Sequence, residues 1–264
     1  MIQLQNIKYS YPEGTIGLDD ISLEIEKGSK VAFLGENGAG KSSLFLVLNG
    51  IHKPQKGKYV LDGKQFGFST TERKQMAHKV GYVFQDPDVQ LFAASVYEDV
   101  AFGPFNLGLD KKDIEIRVEK YLNLLSIQDL KDKAPHQLSY GQKKQVAVAG
   151  VLAMEPEIIL FDEPFAWLDN RHKHIMNEII DDLNKQGKTV LISTHNPDFA
   201  YEWADNVVLM KEGRIIASDS PVKTMCNKVL MQEIGMELPL VVQLAKKLGL
   251  KNDSRSIQSL LWEM

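Results

Sequence analysis

The sequence predicts an α/β fold built on a largely parallel sheet, with an antiparallel β portion near the N-terminus. Three observations carry this. The segment LDDISLEIEKG alternates Ile21, Leu23 and Ile25 with Ser22, Glu24 and Glu26, the period-two pattern of a half-buried antiparallel strand. The segments KVAFLG, GYVF, EIILFD and TVLIST are short, nearly continuous apolar runs, as expected of strands covered on both faces. Helical patterns lie between these runs, and buried strands alternating with helices point to a parallel sheet.

In chain order, the alternating strand comes first. The buried run KVAFLG follows and ends in glycine, and SSLFLVLNG then reads as a helix that stops near Gly50. GYVF is the next buried strand. Helices are expected over Lys111–Leu125, Gly141–Met154 and Arg171–Gln186, with EIILFD and TVLIST as strands among them. There is no internal repeat and only one glycine-rich loop. After about Pro221 the texture changes, with a boundary expected near Ser218–Val222. LPLVVQLAKKLG puts Val241, Leu244, Ala245 and Leu248 at helical spacing, and SIQSLLWEM does the same with Ile257, Leu260 and Leu261. The expected division is therefore roughly residues 1–220 and a small helical extension over 221–264. That extension either packs on its own domain or offers a face to a partner.

Composition narrows the function classes. The chain has 264 residues, 44% hydrophobic and 25% charged, an ordinary globular balance. Its net charge is -4 and no basic stripe stands out, so the footprint of a nucleic-acid-binding protein is missing. Cys226 is the only cysteine, which excludes an internal disulfide and a cysteine-built metal cluster and fits a reducing compartment. The N-terminal MIQLQNIKYSYPEG lacks the basic and apolar regions of a signal peptide, and no apolar run reaches the roughly 18 residues of a membrane helix. A membrane role would come through a partner.

The stretch FLGENGAGKSSLF carries the first chemistry. Gly35-Glu36-Asn37-Gly38-Ala39-Gly40-Lys41-Ser42 fits the phosphate-loop pattern, with a buried strand before it and a helix after it. Glycines let successive N–H groups turn inward as an anion nest, and the helix adds the positive end of its dipole. Lys41 is a point charge for the β- and γ-phosphates, and Ser42 offers a hydroxyl to Mg²⁺. The loop marks a nucleoside triphosphate site, open at this stage to kinase, GTPase or ATPase chemistry. EIILFDEP supplies the other half. Asp162 at a strand tip is a candidate to hold Mg²⁺, directly or through water. Glu163 next to it is a candidate general base for an attacking water, which favours hydrolysis over transfer to an acceptor.

The segment LSYGQKKQVAVAGVLAMEPEIILFDEP resembles the ABC-transporter ATPase pattern, in which an LSGGQ-type signature leads a helix into the Asp-Glu strand. Here the signature is Leu138-Ser139-Tyr140-Gly141-Gln142, and the resemblance covers roughly residues 1–220. It implies a P-loop NTPase fold of the ABC type with a helical signature subdomain, and an ATPase that uses ATP and Mg²⁺. By the same resemblance, Tyr11 is the aromatic that stacks on adenine, and Gly35, Asn37, Gly38, Ala39, Gly40, Lys41, Ser42 and Ser43 bind the ATP. Gln85, in VFQDPDVQLF, is the glutamine that touches Mg²⁺ and responds to a membrane partner. Asp169, in WLDN, belongs to the D-loop, and His195, in STHN, is the switch histidine at the γ-phosphate. Ser139, Gly141 and Gln142 serve the nucleotide of the opposite subunit. Each chain then supplies half of two composite sites and must dimerise.

The sequence departs from the family pattern at Tyr140, where glycine is usual, and at Gln145, where arginine is common. Phe165 and Trp167 are bulkier than the usual threonine and glycine, and Asn196 replaces an acidic residue. These positions bear on the rate and tightness of dimer closure. Within the family, GYVFQDPDVQLFAASVYEDVAFGPFNLGL and QVAVAGVLAMEP look like ATP-binding subunits of energy-coupling-factor importers, and LFLVLNGIHKP looks like the cobalt/nickel branch, with the vitamin branch a near neighbour. The resemblance implies a second ATPase subunit, identical or closely related, a transmembrane coupling subunit and a substrate-binding membrane subunit, at the cytoplasmic face of the membrane. A soluble ABC ATPase acting on nucleic acid or ribosomes is the rival, and usually carries two cassettes or a coiled-coil insertion. A P-loop kinase and a nucleotide-binding module without turnover are further alternatives, opposed by the signature helix and by Glu163.

Overall fold

The structure, a computed structural model, describes residues 1–250 and 255–257. The alternating segments at the N-terminus form an antiparallel sheet. It is built from β1 (Ile2–Ser10), β2 (Ile16–Ile25), β4 (Lys56–Leu61) and β5 (Lys64–Phe66), in the order β2-β1-β4-β5. Ile21, Leu23 and Ile25 are buried on β2 while Ser22 and Glu24 face water, as their spacing requires.

The apolar runs form the second sheet. Its order is β10 (Arg214–Asp219), β9 (Asn206–Lys211), β3 (Lys30–Leu34), β8 (Thr189–Thr194), β7 (Ile158–Asp162) and β6 (Val80–Val83). The pairs β3–β9, β3–β8, β7–β8 and β6–β7 are parallel, and only β10 runs antiparallel to its neighbour. Every residue of β6, β7 and β8 is buried, because helices or the other sheet cover both faces.

Two apolar clusters fill the interior. The first lies between the sheets around α1 (Lys41–Asn49), where Phe45 meets Phe33 and Tyr82 edge-on with ring centroids 5.2 and 6.2 Å apart. Gly50, in the left-handed conformation at φ 93°, stops that helix at the expected place. A short helix, α2 (Thr70–Lys79), leads from the antiparallel sheet into β6. On the far side of the parallel sheet, α3 (Val96–Asn106), α4 (Lys111–Leu124) and α5 (Tyr140–Leu152) pack on one another, and α6 (Asn170–Lys185) and α7 (Pro197–Trp203) complete the layer. The three helices expected from the sequence thus form with ends shifted by one or two residues.

The extension begins with α8 (Pro221–Met225), α9 (Lys228–Glu233) and α10 (Leu240–Leu248). Met225, Met231, Val241, Val242 and Ala245 join the same apolar cluster as Trp203 of α7. The buried stripe of α10 is rotated from the expected one, since Leu244 and Leu248 stay exposed at 38% and 50% and Val242 takes their place. The helix start is tied to α7 by the Leu240 N–H, which donates to Asp198 Oδ1 at 2.6 Å. Ile257 is exposed, and the expected continuation through Leu260 and Leu261 lies outside the described residues. Among the described residues no helix is long and apolar enough to cross a membrane.

Phe45→Ala removes a fully buried ring that links α1 to both β3 and β6. We expect a loss of about 3–5 kcal/mol in stability by denaturant titration. A loss under about 1 kcal/mol would mean the two-sheet core does not rest on α1.

Candidate active site

The parallel strands set the position of every candidate residue. Beyond Leu34 the chain leaves β3 as a loop and re-enters a helix at Lys41. A Cβ on Gly35 would lie 2.3 Å from the Met210 carbonyl of β9, and one on Gly40 would lie 2.7 Å from the Gly17 carbonyl. Gly40 also has φ 101°, so both close approach and backbone conformation demand glycine there. Asn37 and Gly38 are exposed at the loop tip, while Ala39 is buried and its carbonyl accepts from the Gly213 N–H at 3.0 Å. No side chain caps α1 and its first turn has no acidic residue, which leaves its N-terminal N–H groups facing an open, positive end.

Lys41 is only 7% exposed. Its ammonium donates to the carbonyls of Gly35 at 2.5 Å and Glu36 at 3.1 Å. Burial lowers its pKa, opposed by the charges of Glu163 and Asp162. Ser42 is exposed at the helix start, and the buried Ser43 lies with its Oγ 2.8 Å from the Tyr11 hydroxyl. Tyr11 stands edge-on to Tyr9 and His52, with centroids 5.1 and 5.7 Å away.

Asp162 and Glu163 emerge two strands away, at the tip of β7. Asp162 pairs in register with Ser193 of β8, and the Ser193 hydroxyl donates to Asp162 Oδ1. The Tyr82 hydroxyl of β6 donates to Asp162 Oδ2 at 2.8 Å. Ser193 also accepts from the Glu163 N–H, at 3.1 Å to its Oγ, so one serine fixes both acidic residues. Glu163 has φ 44°, a left-handed conformation unusual for a non-glycine residue and one that turns its side chain away from the direction Asp162 takes. Its Oε2 lies 3.0 Å from Nδ1 of His195, whose ring is largely exposed.

Gln85 follows β6. Its carbonyl accepts from the Tyr140 hydroxyl at 3.0 Å and from Lys144 Nζ at 2.8 Å. Lys144 is fully buried, and burial pushes its pKa down to about 8 against the pull of Asp162, Asp86 and Glu163. The signature sits at the start of α5. Ser139 Oγ accepts from the Gln142 N–H at 3.3 Å, and Gln142 Oε1 accepts from the Ser139 N–H at 3.0 Å, a reciprocal cap. A Cβ on Gly141 would lie 2.7 Å from the ring of His172. That histidine is in turn held by Asp169, whose Oδ1 lies 2.9 Å from its backbone N and 2.8 Å from its Nδ1.

The structure therefore gathers the glycine loop, Lys41, Ser42, Gln85, Asp162, Glu163 and His195 around the carboxyl ends of β3, β6, β7 and β8. Among the described residues no hydrogen bond or ion pair joins Ser139, Gly141 or Gln142 to the glycine loop of the same chain. Sequence reasoning missed Ser193, Tyr82, Lys144 and His172. Only strand order and register reveal the first two, and only the packing of α5 reveals that Lys144 is buried.

Comparison with known proteins agrees with this geometry. Residues 18–166 match the family described as ABC transporter. The energy-coupling factor transporter ATP-binding protein EcfA of Carboxydothermus hydrogenoformans is 44% identical, over 98% of this chain and 97% of that protein. A putative ABC transporter ATP-binding protein of Methanosarcina mazei is 43% identical over 92% of this chain, which spans only about half, 54%, of that relative's length. Among solved structures, cbiO1 of Clostridium perfringens, described as part of the ABC transporter complex cbiONQ, superposes with a TM-score of 0.75. It shares 40% identity over 93% of this chain and 98% of that one. The ATP-binding cassette MJ0796, solved as a dimer in a post-hydrolysis state with ADP and Pi, superposes with a TM-score of 0.76. It is 26% identical over 84% of this chain and 99% of that one. A chain with this phosphate loop, this Asp-Glu strand tip and this signature helix, matched over these lengths, belongs to the ABC transporter ATP-binding family.

Proposed function

We propose that the chain is the ATP-hydrolysing subunit of an energy-coupling-factor importer, peripheral at the cytoplasmic face of the membrane. In this reading it works as half of a two-subunit sandwich that ATP binding closes and hydrolysis reopens. The observation that carries the proposal is the Glu163 carboxylate held beside His195 on the same sheet edge as Lys41, with the signature helix unconnected to its own glycine loop.

Each residue has a role its chemistry supports. The N–H groups from Gly35 to Ser43 take the phosphates, and Lys41 exchanges the loop carbonyls for β- and γ-phosphate oxygens. Tyr11 offers its ring to adenine. Glu163 accepts a proton from the attacking water, and His195 orients that carboxylate and meets the γ-phosphate. Ser139 and Gly141 close on the partner's nucleotide, with Gln142 bracing the turn and Asp169 lying at the subunit boundary.

The residues fit Mg²⁺ as this family uses it. Among the described residues no group of three histidine, cysteine or acidic side chains could hold a metal alone. Mg²⁺ needs no such cage, since it keeps waters and phosphate oxygens and takes one or two protein ligands. Ser42 and Gln85 would hold it directly, and Asp162 directly or through water. Tyr82 and Ser193 each occupy one Asp162 oxygen, and a carboxylate has lone pairs to spare. When bound, the ion supplies charge neutralisation between the β- and γ-phosphates.

The proposed cargo is cobalt or nickel ions, supported by the likeness of LFLVLNGIHKP to that branch. The alternative is a vitamin, since the vitamin branch is a near neighbour by the same sequence resemblance. A soluble role is a more remote reading. Cargo is chosen by the membrane partner, so the chain should pull down a transmembrane coupling subunit from native membranes, identified by mass. Recovery of ribosomes or nucleic acid instead would overturn the importer reading.

Glu163→Gln should keep ATP binding and lower turnover by about 10²–10⁴-fold. It should also trap a nucleotide-bound dimer, visible by size-exclusion chromatography with ATP. Hydrolysis at half the normal rate would sink the assignment of Glu163 as base.

A further inference from the structure

The family glycine that Tyr140 replaces would leave the first turn of α5 bare. Here the side chain runs from that turn to the chain's own Gln85, where its hydroxyl donates to the carbonyl at 3.0 Å. Lys144, one turn along, donates to the same carbonyl and to that of Phe84, each at 2.8 Å. Lys143 pairs with Asp88 at 2.7 Å. Gln90 closes the segment, accepting from the Phe84 N–H at 3.1 Å and donating to the Ala147 carbonyl of α5 at 2.7 Å. One helix thus grips the backbone from Phe84 to Gln90. The side-chain amide of Gln85, in contrast, has no hydrogen-bond partner among the described residues.

Within this grip Tyr140 has a distinct place. It is the first residue of α5, on the turn that meets the partner's nucleotide in the proposed sandwich. Its ring also lies edge-on against Trp167, with centroids 5.4 Å apart and planes at 87°, which connects it to the turn after Glu163. Because the side chain points back to its own Gln85, it does not disturb the reciprocal cap of Ser139 and Gln142 at the start of α5. The departure from glycine therefore leaves that cap in place.

We propose that Tyr140 is a positioning residue for hydrolysis: its hydroxyl locks the Gln85 peptide to the first turn of the signature helix, so that Gln85 reaches the nucleotide of its own subunit in step with the docking of that helix on the nucleotide of the other. This rests on the roles given above to Gln85 and the signature. It makes the two half-sites of one chain report to each other through the Tyr140–Gln85 hydrogen bond, beside the bond that Lys144 makes to the same carbonyl.

Tyr140→Phe tests it, because the ring and its contact with Trp167 remain and only the hydroxyl goes. In the full-length chain we expect an unchanged melting temperature and ATP KM. We expect kcat to fall about two- to tenfold, the worth of one net hydrogen bond, and the Mg²⁺ concentration for half-maximal rate to rise. Deuterium exchange at the Gln85 and Asp86 amides should quicken, while the interior of α5 exchanges as before. Wild-type kcat and Mg²⁺ dependence in Tyr140→Phe would overturn the proposal. So would a lowered melting temperature with unchanged turnover per folded molecule, which would mean that Tyr140 only packs. The exchange measurement needs no turnover. Unchanged exchange at Gln85 overturns the lock even where Glu163→Gln contradicts the hydrolytic reading, and quickened exchange supports it in that same case.

Discussion

The candidate site depends on three parallel strands, β3, β8 and β7, ending side by side with charged groups that water barely reaches. Lys41, Asp162 and Glu163 are each under a tenth exposed. Buried charges are costly unless paired or hydrogen-bonded. The chain meets that cost from neighbouring strand ends: loop carbonyls for Lys41, Tyr82 and Ser193 for Asp162, and His195 for Glu163. The same arrangement prepares the site for its substrate. A phosphate entering the loop replaces the carbonyls around Lys41 with oxygens of full negative charge, a stronger partner for a desolvated ammonium.

The two helix N-termini proposed to bind phosphate are prepared differently. α1 begins at a glycine and carries no side-chain cap, so its N–H groups have no side-chain partner at that end. α5 is capped by its own Ser139 and Gln142, and Gly141 is covered by His172. That cap uses an acceptor site on the Ser139 hydroxyl and leaves its O–H to donate. A terminus that is self-satisfied in the separate chain, yet keeps one donor directed outward, suits a site completed by another subunit. Asp169, by fixing His172, ties that terminus to the turn after the Asp-Glu strand.

Much of this was legible in the sequence, for physical reasons. Period-two alternation at Ile21, Leu23 and Ile25 identified a one-sided strand, and the uninterrupted runs identified strands covered on both faces. The strand-loop-helix context of Gly35, Gly40 and Lys41 was readable from the apolar run before the loop and the helical pattern after it, and the structure shows close backbone approach at both glycines. The roles of Ser193 and Tyr82 were not legible, because they act across strands distant in sequence and depend on register. Lys144 was hidden for another reason. A lysine in a helix normally reads as a solvated residue, and only the packed structure reveals the two carbonyls that hold it. The rotation of α10 was missed because Val242 and Leu244 are both apolar, and spacing alone does not say which of them packs on the α7 side.

The central claim is that one chain's glycine loop is completed by another chain's signature. It is tested most directly by mixing two defective chains. Ser139→Arg places a long cation in the phosphate-facing turn, and Lys41→Ala removes the charge from the loop. Each homodimer then has two broken composite sites. In the mixed dimer one site carries both lesions and the other pairs an intact loop with an intact signature. The account predicts that ATPase activity absent from either variant alone returns on mixing. No recovery, with heterodimers demonstrated by native mass spectrometry, would contradict it.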